Sequence, residues 1–161
     1  RDLLVLHEAP PSMHVSVRGL ACDARGRLYV SDPGSASIRI FDQETMQQTG
    51  RFTALRSRQI AVAPDGSLWA LQAPDPSATV TDLLKPERED AEWRAVRYGG
   101  NGRALATIWL PKDPAPTGLA LDPRGRLLIA LDGAAGRIRI YPVPNKDARS
   151  FPTSRRSRAA D

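Results

Sequence analysis

The sequence has few of the residues that mark particular functional classes. It contains one cysteine, two histidines and only 6% aromatic residues. Because Cys22 has no second cysteine to pair with, no disulfide can form within the chain. The longest clean apolar run, residues 127–131, is far shorter than the roughly twenty residues that span a membrane. These absences exclude a disulfide-stabilised domain and predict no contact with a membrane.

The charge is also not concentrated in a way that favours nucleic acid. The formal net charge is +5, but in residues 145–161 five basic residues and two aspartates contribute +3 of it. The other arginines are spread along the chain, as expected of a solvated surface. The few aromatic residues form no recognisable base-stacking platform, so RNA binding is a weaker alternative. No charged-then-apolar leader precedes the first predicted strand, which leaves the location open and favours the cytoplasm.

What the sequence does contain is one motif written three times. Residues 19–30 read GLACDARGRLYV and residues 118–129 read GLALDPRGRLLI, which are identical at eight of twelve positions. A more divergent copy, QIAVAPDGSLWA, occupies residues 59–70. Internal repetition at a period of about forty residues is typical of repeat architectures.

Each copy predicts two strands joined by a tight turn. The turn ends in a glycine, which readily takes the positive φ required there. Alternation of Leu20 and Cys22 with Ala21 predicts a strand covered on both faces, with Cys22 as a small buried residue. Tyr29 and Trp69 hold equivalent positions after the turn, and we expect both in the core.

Further strands complete the repeating unit. A third strand is predicted at residues 38–41 and 138–141, where apolar and basic residues alternate as in a strand with one wet face. A fourth is predicted before each copy, at residues 3–6, 51–55 and 105–110. Four antiparallel strands per period describe the blade of a β-propeller. We therefore predict an all-β fold: an incomplete β-propeller of about three four-stranded antiparallel blades over residues 1–144, followed by a basic polar tail over residues 145–161.

The motif resembles a known family. The pattern Gly-Leu-Ala-x-Asp-x-x-Gly-x-Leu-Tyr-Val-x-Asp, followed by Ile-Arg-Ile-Phe, is similar to the NHL repeat of six-bladed propellers. The last copy also fits, whereas the middle copy lacks the leading Gly and the closing Asp. The resemblance covers residues 1–144 and implies a fold rather than an activity.

The number of blades raises the question of partners. Propellers have about four to eight blades, and three are visible here. We expect the chain to be a piece of a longer protein that supplies the missing blades. A homo-oligomer that closes the ring is the alternative.

An insertion near residues 73–92 separates the middle and last copies by fifty-nine residues rather than forty. It would join the second strand of its blade to the third, on the same side of the ring as the links between blades. Variable loops on a rigid scaffold are where binding tends to reside. A partner-binding loop and a solvated excursion without a partner both fit the composition of the insertion. As a binding loop, it predicts a protein-binding surface on this side, with eight candidate residues: His7, His14, Asp32, Lys85, Glu87, Arg88, Lys112 and Asp132.

The predicted function is a non-catalytic binding or scaffold module that mediates protein–protein contacts. Asp32 and Asp132 recur at equivalent positions, which favours a structural role in capping a turn. The alternative is a metal-dependent hydrolase or lyase, because lactonase and streptogramin-lyase propellers are similar in fold. Their catalytic motifs have no clear counterpart here, and His7 and His14 lie seven residues apart rather than the four of a zinc-binding helix. We predict no metal and no cofactor.

Overall fold

The computed structural model describes residues 17–74, 92–110, 115–131 and 136–142. These residues form three antiparallel sheets, in each of which the strands follow one another in chain order. Blade 1 comprises β1 Gly19–Cys22, β2 Arg27–Asp32, β3 Ser37–Asp42 and β4 Gln48–Thr53. Blade 2 comprises β5 Ser57–Val62, β6 Leu68–Gln72, β7 Trp93–Tyr98 and β8 Ala104–Leu110. Blade 3 comprises β9 Pro116–Leu121, β10 Leu127–Leu131 and β11 Arg137–Tyr141.

This architecture confirms the predicted incomplete propeller. The strand predicted at residues 3–6 lies outside the described residues, and blade 3 has three strands among those described. The strand predicted at residues 51–55 is β4, which ends two residues earlier. The amide of Ala54 still donates to the carbonyl of Ala36 beside the last strand pair, and the chain turns away at Arg56, which adopts a positive φ of 49°.

The tight turns between the first two strands of each blade share one geometry. In each, the glycine has a φ of 74–79° and its amide donates to the carbonyl three residues earlier. The acidic residue changes place between copies. Asp23 and Asp122 begin their turns and bind Arg27 and Arg126, whereas Asp65 stands third and binds Arg97 of β7. The turn is therefore held by a carboxylate in every copy, but from two different positions.

Two apolar clusters join the blades. We call the sheet face toward the next blade in the chain the back face, and the opposite face the front. The first cluster packs the back of blade 1, including Tyr29 and Ile38, against Ile60 and Val96 on the front of blade 2. The second packs the back of blade 2, centred on Trp69, against the front of blade 3. Tyr29 and Trp69 are 3% and 0% exposed, which confirms that both are core residues.

The first strand of blade 1 departs from the prediction. Leu20 is 62% exposed and Cys22 is exposed as well, so a strand covered on both faces and a buried cysteine were wrong. Both side chains project from the front of blade 1, and only the back of that blade packs on another described sheet. Similarly, Ile138 and Ile140 on the back of blade 3 are 70% and 53% exposed, although the alternating pattern predicted them on the covered face.

The first strands of the blades lie side by side and meet differently at the two junctions. A Cβ at Gly19 would lie only 3.1 Å from the carbonyl oxygen of Arg58 and the amide nitrogen of Ile60. At the next junction Gln59, which occupies the position of Gly19 in its blade, reaches across with its side chain. Its Nε2 donates to the carbonyl of Thr117 and its Oε1 accepts from the amide of Leu119, both at 2.8 Å.

A short 3-10 turn, Pro33–Ser35, follows β2. No helix within the described ranges has the length and apolar character needed to cross a membrane.

Candidate functional site

The connections between strands divide the ring into two sides. One side carries the links from second to third strand and from blade to blade, including residues 33–36, 54–56 and the ends of the insertion; we call it the link side. The tight turns, such as residues 23–26 and 63–66, lie on the other, the turn side. The insertion leaves β6 after Gln72 and rejoins the sheet at Trp93, which confirms the second-to-third-strand position.

Asp32 occupies the link side of blade 1 as a turn cap. Its carboxylate accepts hydrogen bonds from the amide of Ser35 at 3.2 Å and the hydroxyl of Ser35 at 2.8 Å. It also forms an ion pair of 3.0 Å with Arg39 of β3. Because the Asp32 side chain is 1% exposed, these contacts fix the turn that follows β2. The expected capping role is confirmed, and direct contact with a ligand stays a prediction.

The junction of blades 1 and 2 is tightly bonded at this side. The buried Ser31 hydroxyl donates to the carbonyl of Ser57 at 2.6 Å, which ties β2 to the start of β5. The Ser57 hydroxyl in turn donates to the carbonyl of Ala54 at 3.3 Å. The inter-blade link is therefore anchored from both of the sheets it connects.

The first stem of the insertion is fixed to this link. The amide of Ala73 donates to the carbonyl of Arg56, and Nε of Arg56 donates to the carbonyl of Ala73, both at 3.2 Å. The chain therefore enters the insertion from a backbone position held on two sides.

The second stem is fixed by arginine–aromatic contacts. The guanidinium of Arg58 lies 5.5 Å from the ring centroid of Trp93, and that of Arg94 lies 5.8 Å from the ring of Trp109. Such cation–π contacts are worth about 0.5–1 kcal/mol at exposed sites. Both ends of the insertion thus start from ordered positions on the link side.

A row of hydrogen-bonded polar side chains, Arg94, Gln72 and Tyr98, also holds the second stem. Nε of Arg94 donates to Oε1 of Gln72 at 2.7 Å, and Nε2 of Gln72 donates to the hydroxyl of Tyr98 at 2.7 Å. Gln72 is 1% exposed. Burial raises the pKa of Tyr98 above its usual value, although the hydrogen bond from Gln72 acts in the opposite direction. Because the side-chain nitrogen and oxygen of Gln72 are both hydrogen-bonded, the row Arg94–Gln72–Tyr98 supports this stem rigidly.

The structure describes one of the eight predicted binding residues, and the binding surface itself stays a prediction. Asp32 is described, whereas the other predicted residues lie outside the described ranges: His7, His14, Lys85, Glu87, Arg88, Lys112 and Asp132. Sequence reasoning missed Arg56, Gln72 and Arg94. One signal was available for Gln72, because it occupies in the middle copy the position that Asp32 holds in the first. The contacts of the two arginines depend on residues far apart in the chain and gave no such signal.

The turn side offers a crevice of about 280 Å³ between two neighbouring turns, lined by residues 22–25 and 62–66. Its carboxylates hold the turns. Burial opposes ionisation of Asp23, but hydrogen bonds from the amide and side chain of Arg27 keep its pKa below the usual value. Hydrogen bonds from Ser67 lower the pKa of Asp65. In the part of the chain that the structure describes, no three His, Cys, Asp or Glu side chains are grouped as metal ligands would be.

Comparison with known proteins gives a likeness in fold. No family model matches the sequence, and no curated protein matches it. Virginiamycin B lyase from Staphylococcus aureus superimposes with a TM-score of 0.51 at 18% identity, covering 83% of this chain and 43% of that one. A putative gluconolactonase gives 0.52 at 21% identity, covering 84% and 49%. A eukaryotic initiation factor gives 0.54 at 11% identity, covering 80% and 30%.

The chain therefore spans less than half the length of these structures. At such identities the likeness concerns the fold only. Together with the three antiparallel sheets, it identifies this chain as an incomplete β-propeller.

Proposed function

We propose that the chain supplies three blades of a ligand-binding propeller of the lyase or lactonase kind, with the ligand held at the link side. The observation that carries this proposal is the fixation of both insertion stems. Arg56 holds the stem at Ala73, and the Arg58–Trp93 contact together with the Arg94–Gln72 bond holds the other. A loop whose two ends are fixed has fewer conformations to lose on binding than a loop of the same length with free ends.

The fold comparisons support this kind of ligand. Among the similar structures are the virginiamycin B lyase and the putative gluconolactonase. In our proposal the described blades form the wall of the site and position the insertion. The reacting groups then belong to residues outside the described ranges or to blades outside this chain.

The proposal is tested with the cyclic compounds that these enzymes' names suggest. One similar structure is an inactive lyase with quinupristin, so quinupristin and gluconolactone are suitable probes. We expect one of them to raise the thermal unfolding midpoint, because a ligand that binds only the folded state stabilises it. Consumption of the probe, followed by mass spectrometry with and without added divalent cations, then reports turnover.

Two variants locate the binding. In the first, residues 75–90 are replaced by a short Gly-Ser linker; in the second, the same residues are scrambled at constant length and composition. Both should keep the far-ultraviolet spectrum of the intact chain and lose the stabilisation by the probe. Stabilisation that survives in both variants would contradict a site at the insertion, and no stabilisation of the intact chain would contradict the ligand class.

A protein-binding scaffold is the second candidate function. Leu55, which is 41% exposed, lies on the link side directly before Arg56, and such a pairing of apolar and basic side chains suits a protein partner. The same two variants separate the candidates. A partner that cross-links to the intact chain and to neither variant, without any response to the probes, would support the scaffold.

A further inference from the structure

The back of blade 3 leaves two large apolar side chains in solvent. Ile138 and Ile140 of β11 are 70% and 53% exposed. The equivalent residues of blade 1 are Ile38 and Ile40, one hundred positions earlier. Ile38 is 0% exposed and Ile40 is partly buried, both within the cluster that joins blades 1 and 2. The same two positions are therefore covered in one blade and open in another.

The covered copy shows what kind of surface fits. Ile38 packs in one cluster with Ile60, Leu68 and Ala70, which project from the front of blade 2. Ile60 comes from the first strand of that blade, and Leu68 and Ala70 come from the second. What covers a back face in this molecule is therefore the front face of another blade.

The chain carries an uncovered surface of that kind. Leu20 and Cys22 on the front of blade 1 occupy the positions of Ile60 and Val62, forty residues later. Leu20 is 62% exposed and Cys22 is exposed. Val30 and Phe41 on the same face are already buried, so β1 is the part of this face that is open. The open surface of blade 3 thus corresponds to the Ile38 half of an internal junction, and the open part of blade 1 corresponds to the first-strand part of the other half.

Within the described ranges, no strand pairs with the outer edge of blade 3. In blades 1 and 2 the third strand is bonded on both sides, as β3 is to β2 and β4. Among the described strands β11 is bonded to β10, and the side chains of residues 137–140 are exposed. An uncovered edge with an apolar face is a template for association with another chain.

We propose that two copies of this chain dock head to tail, with the back of blade 3 of each copy on the front of blade 1 of the other. The described residues of one copy form three blades, and closed propellers have about four to eight. Two copies would bring six such blades together. A head-to-tail contact that closes on itself gives a ring instead of a filament.

Light scattering during size exclusion tests the proposal on the full chain. We expect a mass of about twice the 17.5 kDa of one chain. The double variant Ile138→Glu/Ile140→Glu and the single variant Leu20→Glu should each halve that mass, since they place charge on opposite partners of the same junction. Leu105→Glu, which alters a 49% exposed leucine on β8, is the matched control and should leave the mass unchanged.

Two further measurements, thiol labelling of Cys22 and mixing of the two variants, distinguish loss of the junction from loss of folding. Cys22 is the single thiol and lies at the proposed junction, so a thiol reagent should label it slowly in the intact protein and rapidly in the Ile138→Glu/Ile140→Glu variant. Mixing the front variant with the back variant leaves one junction intact and should restore part of the dimer. A monomeric intact chain with rapid labelling of Cys22 would overturn the proposal. Dimerisation unaffected by Leu20→Glu would overturn the head-to-tail arrangement.

Discussion

Trp69 is the largest fully buried side chain among the described residues, and within them its indole nitrogen has no hydrogen-bond acceptor. A buried donor left without a partner costs about 1–3 kcal/mol. We expect Trp69→Phe to change the free energy of unfolding by less than about 1 kcal/mol, because it removes this donor while keeping most of the ring. Trp69→Ala should cost about 3–5 kcal/mol through the cavity it creates. Urea unfolding followed by circular dichroism measures the free energy of unfolding of both variants. Equal losses of stability in the two variants would contradict the role of Trp69 as a core residue with an unbonded donor.

Asp65 is one of the carboxylates that make the stability depend on pH. Hydrogen bonds from the Ser67 hydroxyl and amide hold the pKa of Asp65 below its usual value, so the unfolded chain binds a proton more readily than the folded one. The contribution of Asp65 is therefore complete above about pH 4 and is lost as the pH falls through the folded pKa. We expect Ser67→Ala to raise the pKa of Asp65, measured by carbon-13 NMR of its carboxyl group. Asp65→Asn should make the acid-induced loss of stability shallower.

At the scale of the element, one turn offers a matched pair of glycines. Gly102, with a φ of 75°, lies where an added Cβ would clash with Cβ of Phe52, whereas a Cβ at Gly100 would meet nothing within 4 Å. Phe52 also packs against Tyr98 in a tilted arrangement, with ring centroids 5.1 Å apart. Gly102→Ala should therefore cost about 2–4 kcal/mol from strain and overpacking, and Gly100→Ala less than about 0.5 kcal/mol. Similar values in chemical denaturation would refute this account of the β7–β8 turn.

The junction between β5 and β9 depends on one side chain. Gln59→Ala removes both bonds to the backbone of blade 3 and should cost about 0.5–1.5 kcal/mol, because water can replace the partner of the exposed Thr117 carbonyl but less readily that of the part-buried Leu119 amide. Gln59→Met keeps the length of the side chain and should cost about as much if the hydrogen bonds matter more than the bulk. In both variants, amide exchange should speed up more in β9 than in β1, relative to the unsubstituted chain, which would locate the effect at this junction. A stable Gln59→Met variant would argue for bulk instead.

At the scale of the whole molecule, the blades differ in how fully they are covered. Both faces of blade 2 pack on described sheets, and all five residues of β6 are buried, whereas residues 137–140 of β11 are exposed. We expect hydrogen exchange to be slowest in β6 and fastest in β11, since local opening follows the number of buried contacts. Exchange of β11 should also slow as protein concentration rises if two copies dock. Equal rates in β6 and β11 would contradict this ranking.

The sequence predicts the local features of this fold well and the contacts between blades poorly. The turns and the strand order were predictable because turn glycines and alternating apolar residues act locally and recur in three copies. The exposure of Leu20 and Ile138 was not, since their local patterns match those of the buried Ile60 and Ile38 and only the neighbouring blade decides. The arginine contacts at the insertion stems join residues such as Arg58 and Trp93 across the intervening insertion, so no short motif records them.

The contrast between Gly19 and Gln59 means that the blades are not interchangeable, although their sequences look like copies of one another. A glycine permits close backbone approach at one junction, and an amide side chain bridges the other. A recombinant chain in which the blades were shuffled would bring the Cβ of a glutamine to about 3.1 Å from the neighbouring backbone, or would place a glycine where a side chain is needed to bridge the junction. The order of the copies is therefore written into the junctions, and duplication of a blade would require its first strand to diverge before the new neighbour could pack.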